Sequence, residues 1–186
     1  EPKVHSKKET NIYAHLSSAF VQFKNNYKLR LISLASIISF AFGETGFQFK
    51  PVFVNSIWPI WAVGLAQTLS FVGGSISFYF SGTVIKRLGA LRSLVIENIA
   101  SRTINIIALL FPSIISPALM SLTSLLYGIS QTAKSTLMQK EFNNEQRATL
   151  GSINSLAASL AFAVVSFLLG FVADQVGPIK ALFFIN

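Results

Sequence analysis

Five long apolar runs follow one another along this chain, at Leu29–Phe49, Trp58–Thr83, Leu91–Phe111, Ile114–Ser135 and Ala148–Ala173. Each holds the roughly 20 residues that an α-helix needs to cross the hydrocarbon core of a bilayer. A sixth run begins at Ile179 and reaches Asn186. At ~1.5 Å per residue it extends about 12 Å, too short to cross. Ahead of these runs, Ile12, Leu16, Phe20, Phe23 and Tyr27 recur at spacings of three and four between Asn11 and Arg30, with Lys24, Asn25, Asn26 and Lys28 on the other face. That pattern predicts an amphipathic helix lying in the headgroup region. The expected organisation is a linker with its interfacial helix over residues 1–28 and a transmembrane bundle over residues 29–186, an all-α polytopic membrane protein.

Composition supports this class. The chain has 186 residues, 52% hydrophobic and only 12% charged, against about 25% charged in a soluble domain. Lys and Arg number 15 against 7 Asp and Glu, a net charge of +8. The basic residues punctuate apolar runs instead of lining one polar face, which argues against a nucleic-acid partner. They also segregate. Twelve fall on the linker's side of the predicted membrane (Lys3, Lys7, Lys8, Lys24, Lys28, Arg30, Lys86, Arg87, Arg92, Lys134, Lys140, Arg147), while Lys50 and Lys180 fall opposite and Arg102 lies within a span. The positive-inside rule then puts the N-terminal linker in the cytoplasm, with the plasma membrane the expected location. The start without Met and the end inside an apolar run predict a piece of something longer.

Enzyme chemistry finds no footing. Cysteine is absent, and the chain has no phosphate-binding Gly-x-x-x-x-Gly-Lys-Ser/Thr loop and no His-Glu-x-x-His motif. Asp174 is the only aspartate, and both histidines, His5 and His15, lie in the linker region. No cofactor or metal is expected.

Polar groups inside apolar spans are the candidate functional residues, because a charged one at the bilayer centre costs about 2.5–3.5 kcal/mol. In the first span Glu44 sits within Gly43-Glu-Thr-Gly46, followed by Gln48. Two glycines beside a carboxylate predict a loosened helix whose charge meets a solute or proton; the alternative is a wet carboxylate at the outer interface. In the fourth span Ser124, Tyr127, Gly128, Gln131 and Ser135 form one stripe, with Tyr127 and Gln131 suited to solute recognition and Lys134 expected to snorkel to the cytoplasmic surface. The third span carries Glu97, Asn98, Ser101, Arg102 and Asn105 through its middle, a stripe that should face protein or water. Small residues at every fourth position in the second span (Ala66, Ser70, Gly74) and in the fifth (Gly151, Ser155, Ser159) predict close helix packing, and Gln67 and Asn154 are further cavity candidates.

The second span ends Gly82-Thr-Val-Ile-Lys-Arg-Leu-Gly89 and the fifth Gly170-Phe-Val-Ala-Asp-Gln-Val-Gly177, two glycine pairs seven apart on opposite predicted sides, as an inverted-topology repeat would place them. On these loops, with Glu44–Pro51 and Asn144-Glu-Gln-Arg-Ala-Thr149, the sequence resembles the C-terminal half of a major facilitator superfamily transporter. Ser81 to Arg92 is similar to the family's Gly-x-x-x-Asp-Arg-x-Gly-x-Arg loop, except that Lys86 stands where the motif has Asp. The resemblance implies half of a twelve-helix carrier that moves a small solute by alternating access, with the N-terminal six-helix half as partner and protons or another ion as a coupling option. It implies that the first and fourth spans line the cavity, that the third is peripheral, and that Glu97 and Arg102 therefore form a structural charge network with Lys86, Arg87 and Arg92. The competing expectation is a membrane scaffold or solute-sensing module of the same fold that transports nothing.

Overall fold

The structure, a computed structural model, describes residues 12–142 and 147–186. Lys3, Lys7, Lys8, His5 and Asn144–Gln146 therefore lie outside the described residues, as does the side chain of His15. All regular structure among the described residues is helical: α1 Ile12–Asn25, α2 Tyr27–Ile57, α3 Ile60–Leu88, α4 Ala90–Leu110, α5 Ser116–Leu122, α6 Ser124–Glu141, α7 Arg147–Val176 and α8 Pro178–Ala181, followed by a 3₁₀ turn at Leu182–Phe184.

Among the described residues, four helices are long and apolar enough to cross a membrane: α2, α3, α4 and α7. Burial in them is inverted relative to a water-soluble protein. The buried residues of α3 are Ala62, Ala66, Ser70, Gly73, Gly74, Ser77 and Ser81, while Phe71, Phe78, Tyr79 and Phe80 are exposed. On α7 the exposed residues include Leu156, Leu160, Val164, Phe167 and Phe171. Large apolar side chains outside and small ones at helix contacts suit a lipid solvent, where close backbone approach drives association.

Several boundaries differ from the sequence pattern, each for a physical reason. The predicted amphipathic helix breaks at Asn26, whose extended backbone and side chain cap α2 by accepting from the Leu29 N–H at 3.0 Å. At its other end α2 runs on to Ile57 through Pro51, because a membrane helix tolerates an internal proline when neighbours satisfy the freed backbone. Lys50 consequently sits inside a helix and not in an outer loop. Nor is the helix loosened at Gly43–Gly46, where α2 is continuous. The discontinuity lies in the fourth predicted span, which divides at Thr123 into α5 and α6; there the Leu126 N–H bonds the Thr123 carbonyl at 3.0 Å, one residue short of the α-helical step. Neither piece qualifies as an apolar span, since α6 carries too many Ser, Thr, Gln and Lys residues. On α7, Ser155 and Ser159 are exposed, while the Ser166 hydroxyl meets that of Thr45 on α2 at 2.8 Å.

The helix connections gather at two ends. At one, Asn26 Nδ2 donates to Glu141 Oε2 (3.1 Å) and Gln22 Nε2 to the Glu141 carbonyl (3.1 Å), tying the α1–α2 junction to the end of α6. At the other, the Trp58 indole N–H donates to the Ile114 carbonyl (2.8 Å), joining the α2–α3 and α4–α5 connections. Each end holds an apolar cluster. Leu29, Met138, Phe142 and Leu150 form the first. Phe53, Ala108, Leu109, Met120, Leu169, Ala181, Leu182 and Ile185 form the second, with the short sixth element folded into it.

The two repeated loops share a backbone conformation. Gly89 has φ 84° and ψ 152°, and Gly177 has φ 89° and ψ 147°. That region is essentially closed to residues with a Cβ. Each glycine turns the chain directly from one helix into the next.

Candidate functional site

On α2, Leu29 belongs to one apolar cluster and Phe53 to the other; on the α5–α6 pair, Met138 and Met120 do the same. The stretches between them, Ser39–Lys50 and Thr123–Lys134, border a cavity of about 490 Å³. That volume lies within the ~300–1,000 Å³ typical of small-molecule sites. The sequence lines it by helical periodicity. From α2 come Ser39, Gly43, Phe47 and Lys50, with Phe40 and Glu44 on the adjoining row; α6 offers Tyr127, Ser130, Gln131 and Lys134. The third wall is α4, with Glu97, Asn98, Ser101, Arg102 and Asn105. Ser70, Phe71, Gly74 and Phe78 of α3 close the fourth side.

Three cations and two carboxylates share this interior: Lys50, Arg102 and Lys134 against Glu44 and Glu97. Lys50 is 7% exposed. Its ammonium donates to Ser70 Oγ at 2.9 Å and Ser121 Oγ at 3.1 Å. Lys134 donates to Ser39 Oγ at 2.8 Å, so it turns into the cavity and does not snorkel out. Arg102 Nη1 donates to the Ile185 carbonyl at 2.6 Å, and Asn105 Nδ2 to Asn186 Oδ1 at 3.0 Å. Glu97 Oε1 accepts from Ser101 Oγ at 3.2 Å, and the charge of Glu97 reaches both Arg102 and Lys134.

The residues singled out from sequence are divided by the structure. Glu44, Tyr127 and Gln131 line the cavity. Glu44 Oε1 accepts from Gln48 Nε2 at 2.9 Å, but Gln48 is exposed and stands behind the wall. Gln131 Nε2 donates to the Tyr127 hydroxyl at 2.8 Å, and the Tyr127 ring meets Phe78 edge-on at 6.0 Å. Gln67 and Asn154 lie outside the lining, each with a buried carbonyl oxygen that no donor reaches. The polar stripe of α4 faces the cavity, so this helix is no bystander. Lys86, Arg87 and Arg92 are exposed near the Gly89 turn. They are not bonded to Glu97 or Arg102, whose hydrogen bonds go to Ser101 and to the C-terminal segment. The expected five-residue network is therefore not formed.

Sequence reasoning missed Lys50 and Lys134 as cavity groups, and with them the serines that hold them. The signal for Lys50 was present. It continues the Ser39–Gly43–Phe47 row by one more helical step, but the apolar run ends at Phe49 and Lys50 was placed beyond it.

No family model matches the chain, and no curated protein or solved structure is significantly similar to it. The geometry alone carries the functional reading.

Proposed function

We propose that this chain is the C-terminal six-helix half of a major-facilitator-type secondary transporter, and that its cavity is this half's share of the solute site. The observation that carries the reading is the cavity itself. A space of about 490 Å³ with five charged side chains sits among helices long and apolar enough for a membrane. Charges in such a place are costly and mark solute or ion pathways.

Two further features support a missing partner half. Gly64, Thr68, Ser75 and Gly82 form an exposed small-residue row on α3, and Ser152, Ser155 and Ser159 do so on α7. Small ridges suit contact with another helix better than contact with lipid. The matched Gly89 and Gly177 turns fit an inverted repeat, which alternating access uses to exchange inward-open and outward-open forms. In this reading Lys24, Lys28, Lys86, Arg87, Arg92 and Lys140 mark the cytoplasmic surface of the plasma membrane, and Glu44 is the group for proton coupling.

The test is solute uptake by the full-length protein in proteoliposomes with Glu44→Gln. A lost charge-assisted hydrogen bond is worth about 1.5–3 kcal/mol, so transport should fall roughly tenfold or more and lose its pH dependence. Unchanged transport with unchanged pH dependence removes Glu44 from the mechanism. Solute binding without flux in the unsubstituted protein assigns the fold to a sensing module instead.

A further inference from the structure

The three cavity cations are not equivalent. Lys134 and Arg102 share the field of Glu97. Lys50 has no such companion. A lysine ammonium carries three donors and no acceptor, and Lys50 spends two on the hydroxyls of Ser70 and Ser121. No carboxylate of the described residues lies within the 4.0 Å of an ion pair. The side chain is 93% buried, being 7% exposed, yet its residue forms part of the cavity wall. A buried cation without a counter-charge is among the most unfavourable arrangements available to a protein. Here the third donor is left for something that enters the cavity.

Ser121, which holds the ammonium, lies two residues before Thr123, where the α5–α6 pair takes its 3₁₀ step, and Thr123 and Ser124 both line the cavity. Next to this cationic corner the walls are apolar. Phe47 precedes Lys50 by one turn of α2, and Phe71 follows Ser70 on α3; their rings meet edge-on at 6.0 Å. Glu44 and Glu97, the two carboxylates of the cavity, are engaged by Gln48 and by Ser101.

We propose that the cavity takes an organic anion, its carboxylate docking on the Lys50 ammonium at the α5–α6 break and its apolar body lying against Phe47 and Phe71. This rests on the reading of the cavity as a solute site but not on flux through it. Along α2, Ser39 and Lys50 are about 16 Å apart, too far for one small acid group to reach Lys134 and Lys50 together. The charge requirement therefore falls on Lys50.

The experiment is equilibrium binding by the purified full-length protein in nanodiscs, read as a ligand-induced thermal shift. The probes are phenylacetate, the isosteric cation benzylamine, the neutral benzyl alcohol, and inorganic phosphate. Phenylacetate is expected to stabilise the protein at millimolar concentration while benzylamine and benzyl alcohol do not. Lys50→Met should weaken phenylacetate binding by about tenfold to a hundredfold, as loss of a charged hydrogen bond implies, and Lys50→Arg should restore part of it. Lys86→Gln, at an exposed lysine outside the cavity lining, serves as the companion variant and should leave binding unchanged. Tighter binding of benzylamine, binding of none of the probes, or phenylacetate affinity indifferent to Lys50→Met each overturns the proposal. Phosphate binding alone overturns the organic body and leaves an inorganic-anion site. Because binding is read without transport, a carrier that moves only cations sinks this inference and spares the transporter reading, while a protein that binds phenylacetate without flux does the reverse.

Discussion

Gly128→Ala is expected to destabilise the bundle by about 3 kcal/mol, at the upper end of the usual cost of overpacking. A Cβ at Gly128 would fall 2.8 Å from both Phe78 Cα and Phe78 Cγ, and closer still to the Phe78 amide nitrogen. Carbon atoms in contact prefer about 3.5–4.0 Å. The obstacle is backbone of α3, so no rotamer change relieves it and α3 and α6 must separate. Separation also strains the Ile129 N–H bond to Ser77 Oγ, 3.1 Å long, and the Phe78–Tyr127 ring pair on the cavity wall. Thermal unfolding of the purified full-length protein checks this, with Gly170→Ala as control. Nothing lies within 4 Å of a Cβ at Gly170, so that change should be neutral or should stabilise by up to about 1 kcal/mol through the helix preference of alanine. Equal effects at the two positions would mean that the close crossing does not exist.

The second large effect is expected where Lys50 is held. Ser70 Oγ and Ser121 Oγ each accept from the ammonium while donating to a backbone carbonyl, Ser70 to Ala66 at 2.9 Å and Ser121 to Pro117 at 2.8 Å, with the Ala66 carbonyl also 3.0 Å from Ser121 Oγ. Ser70→Ala with Ser121→Ala strips both acceptors and leaves a buried charge without either. At about 1–3 kcal/mol for each lost acceptor of a buried charged group, the pair should cost about 3 kcal/mol or more. Adding Lys50→Met should recover most of that loss, because an apolar side chain of similar length needs no acceptor. The measurement is a double-mutant cycle on unfolding free energy, with Lys50 on one axis and the two serines on the other. A serine effect of the same size in both Lys50 backgrounds would show that the hydroxyls act on the Ala66 and Pro117 carbonyls and not on the ammonium.

How much of this was legible in the sequence follows the physics of each signal. Hydrophobic length is a strong signal: α2, α3, α4 and α7 are found where apolar runs predict them, although α2 extends eight residues beyond Phe49. Glycine pairing was also readable, and Gly89 and Gly177 do adopt one conformation. Sequence alone reads hydrophobicity, not which face of a helix meets a neighbour. That is why Lys134 was sent to the headgroups; the polar stripe of α4 was read as facing protein or water, and only the family resemblance made its helix peripheral. The α5–α6 break was hidden because Thr123 breaks the helix without glycine or proline. Glu44, Tyr127 and Gln131 were found because each is a polar group inside an apolar run. Lys50, at the edge of its run, was not, since hydropathy cannot distinguish a residue beyond the membrane from one folded back into a cavity.

The central claim, a bundle whose connections alternate between two faces of a bilayer, is tested most directly by labelling single cysteines from outside sealed cells. The chain supplies a clean background, for it has no cysteine. A membrane-impermeant maleimide should modify Asn55→Cys and Ser113→Cys, near the α2–α3 and α4–α5 connections. It should spare Arg87→Cys and Lys140→Cys until the membrane is permeabilised. Modification of all four positions in intact cells would contradict the account, and modification of Arg87→Cys and Lys140→Cys alone would reverse its orientation.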